Sequence, residues 1–131
     1  MQTSINQYNN KGNKDGYWED YHPNGNLRYK GSWKDGKQDD YWEEYYDNGN
    51  EWYKGYYKGG NREGYWEYYY KNGDLWYNGH YKDGKRNGYW EQYWHNGNLE
   101  YKGSWKDDKP VGLWEWYCND GILNETIFYA N

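Results

Sequence analysis

Almost every strongly hydrophobic position in this chain is aromatic, and the aromatics return at a fixed interval. Trp recurs at positions 18, 42, 66, 90 and 114, in steps of 24 residues. A turn-forming pair recurs in step, at Asn24-Gly25, Asn48-Gly49, Asn72-Gly73, Asn96-Gly97 and Asp120-Gly121. Within one period, Gly64 to Tyr81, a β-prone aromatic run from Tyr65 to Tyr70 leads into Asn72-Gly73. A return run follows from Leu75 to Tyr81. Asn-Gly between two such runs predicts a β-hairpin closed by a type I′ turn, which needs positive φ at both central residues. A fixed period of this length marks a repeat protein, in which each unit needs its neighbours to bury surface.

Taken in order, residues 1–9 form a polar, unphased tail that could pair as an edge strand around Tyr8. A repeat array covers 10–121, with units at 14–33, 34–57, 58–81 and 82–105. The last segment keeps the phase at Trp114 but then changes character, with Ile122, Leu123, Ile127 and Phe128 where other units have polar residues or Gly. Residues 122–131 are therefore expected to cap the array or to meet a second copy, so the chain is read as a monomer or as a homodimer through this segment. The connections between hairpins, such as Lys34-Asp35-Gly36-Lys37, are also short, and short links force antiparallel neighbours. The fold class is all-β: tandem 24-residue hairpin repeats in one elongated antiparallel meander sheet of about ten strands, ~45 Å long at ~4.8 Å per strand. No 3.6-residue period is present, and Gly interrupts every unit.

A two-residue loop at Asn48-Gly49 makes a definite register. Trp42 then opposes Gly55, Glu43 opposes Lys54, Glu44 opposes Tyr53, and Tyr45 opposes Trp52. The same count sets Trp18, Trp66 and Trp90 against Gly31, Gly79 and Gly103. An indole lying across its opposed glycine would cover bare backbone, and facing opposite charges add roughly 0.2–1 kcal/mol. Pro23 sits where such a hairpin wants an N–H, which predicts a looser first loop.

This register sorts the side chains. The Trp–Gly face, with Tyr29, Tyr53, Tyr77 and Tyr101, reads as structural. The opposite face carries Glu43, Tyr45, Glu67 and Tyr69, plus one slot that varies between units: Arg28, Trp52, Trp76, Glu100 and Asn124. Repetition suits a scaffold, and variation at one slot suits recognition. Tyr45, Trp52, Tyr69 and Trp76 are therefore the candidate partner-binding residues, an aromatic patch rimmed by charge. The plainer reading is that these rings only stiffen a one-layer sheet.

Composition narrows the function. Aliphatic residues are scarce, so 11 Trp and 21 Tyr must supply the buried surface. The net charge of −5 argues against nucleic acid and anionic membrane, since no basic groove is available to follow phosphates. A single cysteine, Cys118, cannot form an internal disulfide. The polar N-terminus has no apolar signal core, and no run of about 20 apolar residues exists, so a cytoplasmic chain without membrane insertion is expected. His22, His80 and His95 fall at different repeat positions, and no serine has a phased His–Asp partner. The regular glutamates mostly face lysines, as structural pairs would. No catalytic residue, metal site or cofactor is expected.

The pattern GxWxxYYxNGxLxYxGxYKDGKxxGxW resembles the MORN-repeat variant found in bacterial proteins, many labelled antitoxin components. It is carried here by Gly64-Tyr65-Trp66, Asn72-Gly73, Gly79, Tyr81, Gly84-Lys85 and Gly88-Tyr89-Trp90. Asp40 departs from it in place of Gly, as does Glu125-Thr126-Ile127 in the last unit. The resemblance implies a hairpin array used for protein contacts: a non-enzymatic interaction module with a protein partner, of antitoxin or immunity type where that partner is a toxin. A second resemblance, to choline- and glucan-binding cell-wall repeats, implies the alternative of a carbohydrate or choline binder that stacks its ligand on Trp52 and Trp76.

Overall fold

A computed structural model describes residues 5–130. Eleven strands lie in one sheet in chain order, every neighbour antiparallel. They are β1 (Gln7–Tyr8), β2 (Lys14–Tyr21), β3 (Leu27–Lys34), β4 (Lys37–Tyr45), β5 (Glu51–Lys58), β6 (Asn61–Tyr69), β7 (Leu75–Lys82), β8 (Lys85–Tyr93), β9 (Leu99–Lys106), β10 (Lys109–Tyr117) and β11 (Leu123–Tyr129). The all-β meander read from the repeat is the fold. Tyr8 lies in the short first strand, paired with Lys14.

The Asp-Gly links are two-residue turns, whereas the Asn-Gly loops are not the type I′ turns expected. Positive φ at two successive residues, the type I′ signature, occurs in the links: Asp35 (50°) with Gly36 (82°), and Asp83 (52°) with Gly84 (82°). In the Asn-Gly loops only the glycine is left-handed, as at Gly49 (91°) and Gly73 (99°). Tyr46 N–H donates to Asn50 O at 2.9 Å and Gly49 N–H to Tyr46 O at 3.0 Å, so the loop has three residues, a type I turn followed by a left-handed glycine. The Asn48 side chain favours this geometry by accepting Asn50 N–H at 2.9 Å. Pro23 fits this turn: it occupies the second position, where its fixed φ is suited and no N–H is required.

A three-residue loop displaces the pairing by one, and a β-bulge in each return strand restores it. Tyr45 pairs with Glu51, not with Trp52, and the next pair is Glu44↔Tyr53, as expected. Trp52 is the extra residue. The same irregularity falls between Tyr69↔Leu75 and Tyr68↔Tyr77, leaving Trp76 extra. The expected pairs Trp42↔Gly55 and Glu43↔Lys54 therefore survive a loop that would by itself have destroyed them. The variable slot of the repeat is the bulge residue. It has no cross-strand partner, so pairing does not constrain its identity.

Trp42, Trp66 and Trp90 each stand between two glycines, and the one each covers is on the preceding strand, as it is for Trp114. Trp42 pairs with Gly55 in β5 but also with Gly31 in β3. A Cβ placed on Gly31 would lie 2.2 Å from the Trp42 ring, whereas one on Gly55 would meet Trp66 at 2.2 Å. The expected cover of Gly55 by Trp42 is thus corrected: Trp66 covers it. The pairing across each link is interrupted beside the glycine, and Trp66, Trp90 and Trp114 donate their indole N–H to the carbonyls of Tyr56, His80 and Ser104 there, at 3.1–3.2 Å. The lysines differ from one another. Lys30 bridges forward to Glu43 at 3.1 Å, and Lys54 turns to Glu51 at 3.2 Å, so the expected Glu43–Lys54 ion pair does not form despite its register.

The core is one layer of rings on the Trp face, with Trp42, Trp66 and Trp114 the most completely buried. Side-chain staples tie each loop to the next. Tyr46 and Tyr70 hydroxyls donate to Tyr69 O and Tyr93 O, and Trp94 N–H to Tyr117 O, each 23 residues on. Asn24 and Asn26 share Asp47 O, Asn48 and Asn50 share Lys71 O, and Asn96 and Asn98 share Asn119 O. At the C-terminal end, residues 123–129 extend the sheet as edge strand β11 and do not fold back over either face; Ile122, Leu123 and Phe128 remain exposed.

Candidate functional site

On the face opposite the Trp ladder, tyrosines flank Glu19, Glu43, Glu67 and Glu91 two residues away along the strand. Glu19 accepts from the hydroxyls of Tyr17 (3.0 Å) and Tyr21 (3.1 Å). Glu43 accepts from Tyr41 (3.2 Å) and Tyr45 (3.1 Å), and Glu91 from Tyr89 (3.2 Å) and Tyr93 (3.1 Å). Alternation along a strand puts residues i and i±2 on one face, so a Tyr-x-Glu-x-Tyr sequence builds this clamp locally. Partial burial first, and the neighbouring carboxylate second, push Tyr17, Tyr41, Tyr89 and Tyr93 up to about 12. These phenols are held neutral, as donors. Glutamates so engaged form an ordered row of half-buried carboxylates, of which Glu43 is also paired with Lys30.

Beside that row runs a stripe of exposed rings. Tyr41 faces Tyr56, Tyr65 faces His80, and Leu113 faces Phe128 across their strand pairs. Tyr41 and Tyr56 touch at 5.2 Å between ring centroids, and Tyr65 and His80 at 5.3 Å. Tyr56 is 52% and Phe128 73% exposed. The rings run from β4 to Tyr89 on β8; Ser104 interrupts them on β9, and Leu113 and Phe128 form a separate apolar pair at the edge.

The four candidate binding residues are divided by the bulges. Tyr45 and Tyr69 lie on the carboxylate face, each bonded to its glutamate. Trp52 and Trp76 do not lie opposite them. The bulge turns both indoles to the Trp face, where Trp52 stacks on Tyr46 at 5.4 Å and Trp76 on Tyr70 at 5.4 Å. The expected single patch of four rings is therefore two pairs on opposite faces. The stripe residues Tyr41, Tyr56, Tyr65 and Tyr89 were not picked out from the sequence. The signal was present: a tyrosine directly before each of Trp42, Trp66 and Trp90 must point away from the buried indole.

Among the described residues no group of three or more His, Cys, Asp or Glu stands close enough to hold a metal ion. No helix among them is long and apolar enough to cross a membrane.

A one-layer array of phased aromatic hairpins, with its rings exposed on one face and its indoles buried on the other, is the architecture of a repeat-type binding module. The chain belongs to the MORN repeat variant family, whose profile matches residues 14–35, 62–83 and 86–107, just over half of its length. The unmatched stretches include the unit with Asp40 and the last hairpin, and both keep the same strand pairing as the matched units. No curated protein matches the chain significantly.

Proposed function

We propose that this chain is a non-enzymatic module that binds a protein partner on the tyrosine stripe of its carboxylate face. The observation that carries the reading is the stripe itself: exposed rings on five successive strands, from Tyr41 to Tyr89, bordered by ordered charge. Tyrosine offers a large apolar body and a polar tip at low entropic cost, which is why it is enriched in protein interfaces. Tyr45 and Tyr69 stand in the next row and would meet the rim of such a partner. An antitoxin-type role, with the array covering a toxin's working surface, is the particular form suggested by the sequence resemblance. The choline or glycan reading is weaker, because Trp52 and Trp76 each already have one ring face stacked on a tyrosine.

The test is capture of partners from the source cells, followed by titration of the purified pair. The wild-type chain should bind saturably, and Tyr56→Ser with Tyr65→Ser should weaken binding by about tenfold or more, as loss of interface anchors does. A captured partner indifferent to both changes would refute the stripe. Saturable choline or glycan binding with no protein captured would favour the second reading.

A further inference from the structure

On the Trp face, a hollow of about 440 Å³ opens over β7, β8 and β9, between Tyr77 and Tyr101, with Gln92, Trp76, Trp90 and Arg86 also lining it. Its meaning comes from comparing successive units. In the preceding unit, Tyr68 occupies the place of Gln92. It is sandwiched between Tyr53 at 5.1 Å (20° between planes) and Tyr77 at 4.4 Å (10°). In the following unit the place is held by Trp116, 4.7 Å from Tyr101. Gln92 pairs with Tyr77 on one side and Tyr101 on the other, in the same register, but has no ring to put between them. Two strand spacings, roughly 9.6 Å, separate such walls, and that is the room a single stacked ring takes.

Among the described residues the hollow is lined but not filled. Gln92 is held along the floor: its Oε1 accepts from Tyr101 OH at 2.9 Å and its Nε2 donates to Glu100 at 3.3 Å. In the preceding unit Arg62 lies over Trp66, Tyr68 and Tyr81, at 5.2–5.5 Å. Its counterpart Arg86 is drawn off to the side, 3.7 Å over Trp105 and 3.0 Å from Asp108. Asp108 stands where the earlier links have Gly60 and Gly84. The position varies along the array, as Asp20, Glu44, Tyr68, Gln92 and Trp116, so a Gln92 between two rings that elsewhere enclose Tyr68, together with Asp108 in place of the link glycine, leaves this place open.

We propose that this place is a receptor slot for one aromatic side chain, a tyrosine or tryptophan ring projected by a protein partner and stacked between Tyr77 and Tyr101. The chain's own Tyr68 shows the fit. The occupant is a neutral ring and not a quaternary ammonium, because the walls are two tyrosines in the register of those that enclose Tyr68 and because Arg86 puts positive charge at the rim. The slot lies on the face opposite the tyrosine stripe and stands independently of it.

The probes are N-acetyl-tyrosinamide and N-acetyl-tryptophanamide, titrated against the full chain while the Trp76 and Trp90 indole N–H resonances are followed by NMR. A dissociation constant on the order of 1 mM is expected for fragments of this size. Gln92→Tyr should fill the slot from within, raise the melting temperature and abolish the shifts. Asp108→Gly should release Arg86 toward the hollow and weaken binding several-fold while the fold persists. Absence of saturable shifts in the wild-type chain would overturn the slot, as would binding that Gln92→Tyr leaves unchanged. Tetramethylammonium binding more tightly than either amide would overturn the assignment to a neutral ring.

Discussion

The two faces of this sheet are built from the same residue types and do different work. On the Trp face, rings are buried against glycine backbone, so closely that an added Cβ would stand 2.1–2.2 Å from the indole. On the carboxylate face, tyrosines rest on glutamates and stay partly open to water. One side chain differs from the next along a strand only in which side it occupies. The comparison teaches that in a one-layer sheet burial is created by the partner across the strand: an absent Cβ draws an indole down, and a carboxylate holds a phenol up.

The sharpest way to break this comparison is to put a side chain where a glycine is covered. Gly79→Val places a Cβ about 2.2 Å from the Trp90 ring. It should destabilise the chain by about 3 kcal/mol or more, in guanidinium unfolding followed by Trp fluorescence. Tyr56→Ser on the other face should change stability by no more than about 0.5 kcal/mol. Equal effects would show that the two faces are not divided as described.

Alkaline pH probes both faces together. Tyr77 on the Trp face, and Tyr41, Tyr89 and Tyr93 on the carboxylate face, are pushed up to about 12, chiefly by burial. An unfolded tyrosine ionises near 10, so below that pH both states keep the proton and the contribution is fully present. As pH rises from about 10 to 12 the unfolded chain sheds protons first and stability is lost. Melting temperatures should be flat up to about pH 10 and then fall steeply, with phenolate absorbance of the folded chain delayed until it unfolds. Glu43→Gln should narrow that delay chiefly for Tyr41 and Tyr45, and slightly for Tyr17.

The smallest effect sits at a bulge between the two faces. Asp40 holds φ of 76° at a place where the other units have Gly16, Gly64, Gly88 and Gly112, all left-handed. Asp40→Gly should stabilise the chain by about 0.5–1 kcal/mol, since its loss of strain is partly offset by the lost bond from Tyr41 N–H to the Asp40 carboxylate. A denaturation midpoint that falls would mean that this bond outweighs the strain.

The strand order and the Trp42↔Gly55 register could be read from the sequence because they rest on period and parity, which need no side-chain detail. The turn types could not. Asn48-Gly49 and Asp35-Gly36 look alike, and what separates them is an Asn48 side chain bonding to its own loop and to the next one. That difference moved Trp52 and Trp76 to the other face. The direction in which Trp42 leans was hidden for a related reason: it stands between two equivalent glycines, and the choice depends on the interrupted pairing across the link. The tyrosine stripe was within reach of simple alternation. The slot beside Gln92 was not, since it needs three units to be overlaid in space.

The staples between loops give the array a direction. Each loop reaches forward with donor groups to a carbonyl of the loop that follows, so every unit is fastened by the one before it. The fifth loop has no comparable outfit: Cys118 stands where His22, Tyr46, Tyr70 and Trp94 stand, Asp120 replaces an asparagine, and Ile122 replaces Asn26, Asn50 or Asn98. A further hairpin spliced after β11 would find strand edges to pair with but nothing to hold its loop. Lengthening the protein by design would therefore require rewriting Cys118→Tyr, Asp120→Asn and Ile122→Asn before any new unit is added, in the manner of reactivating a terminated polymer end.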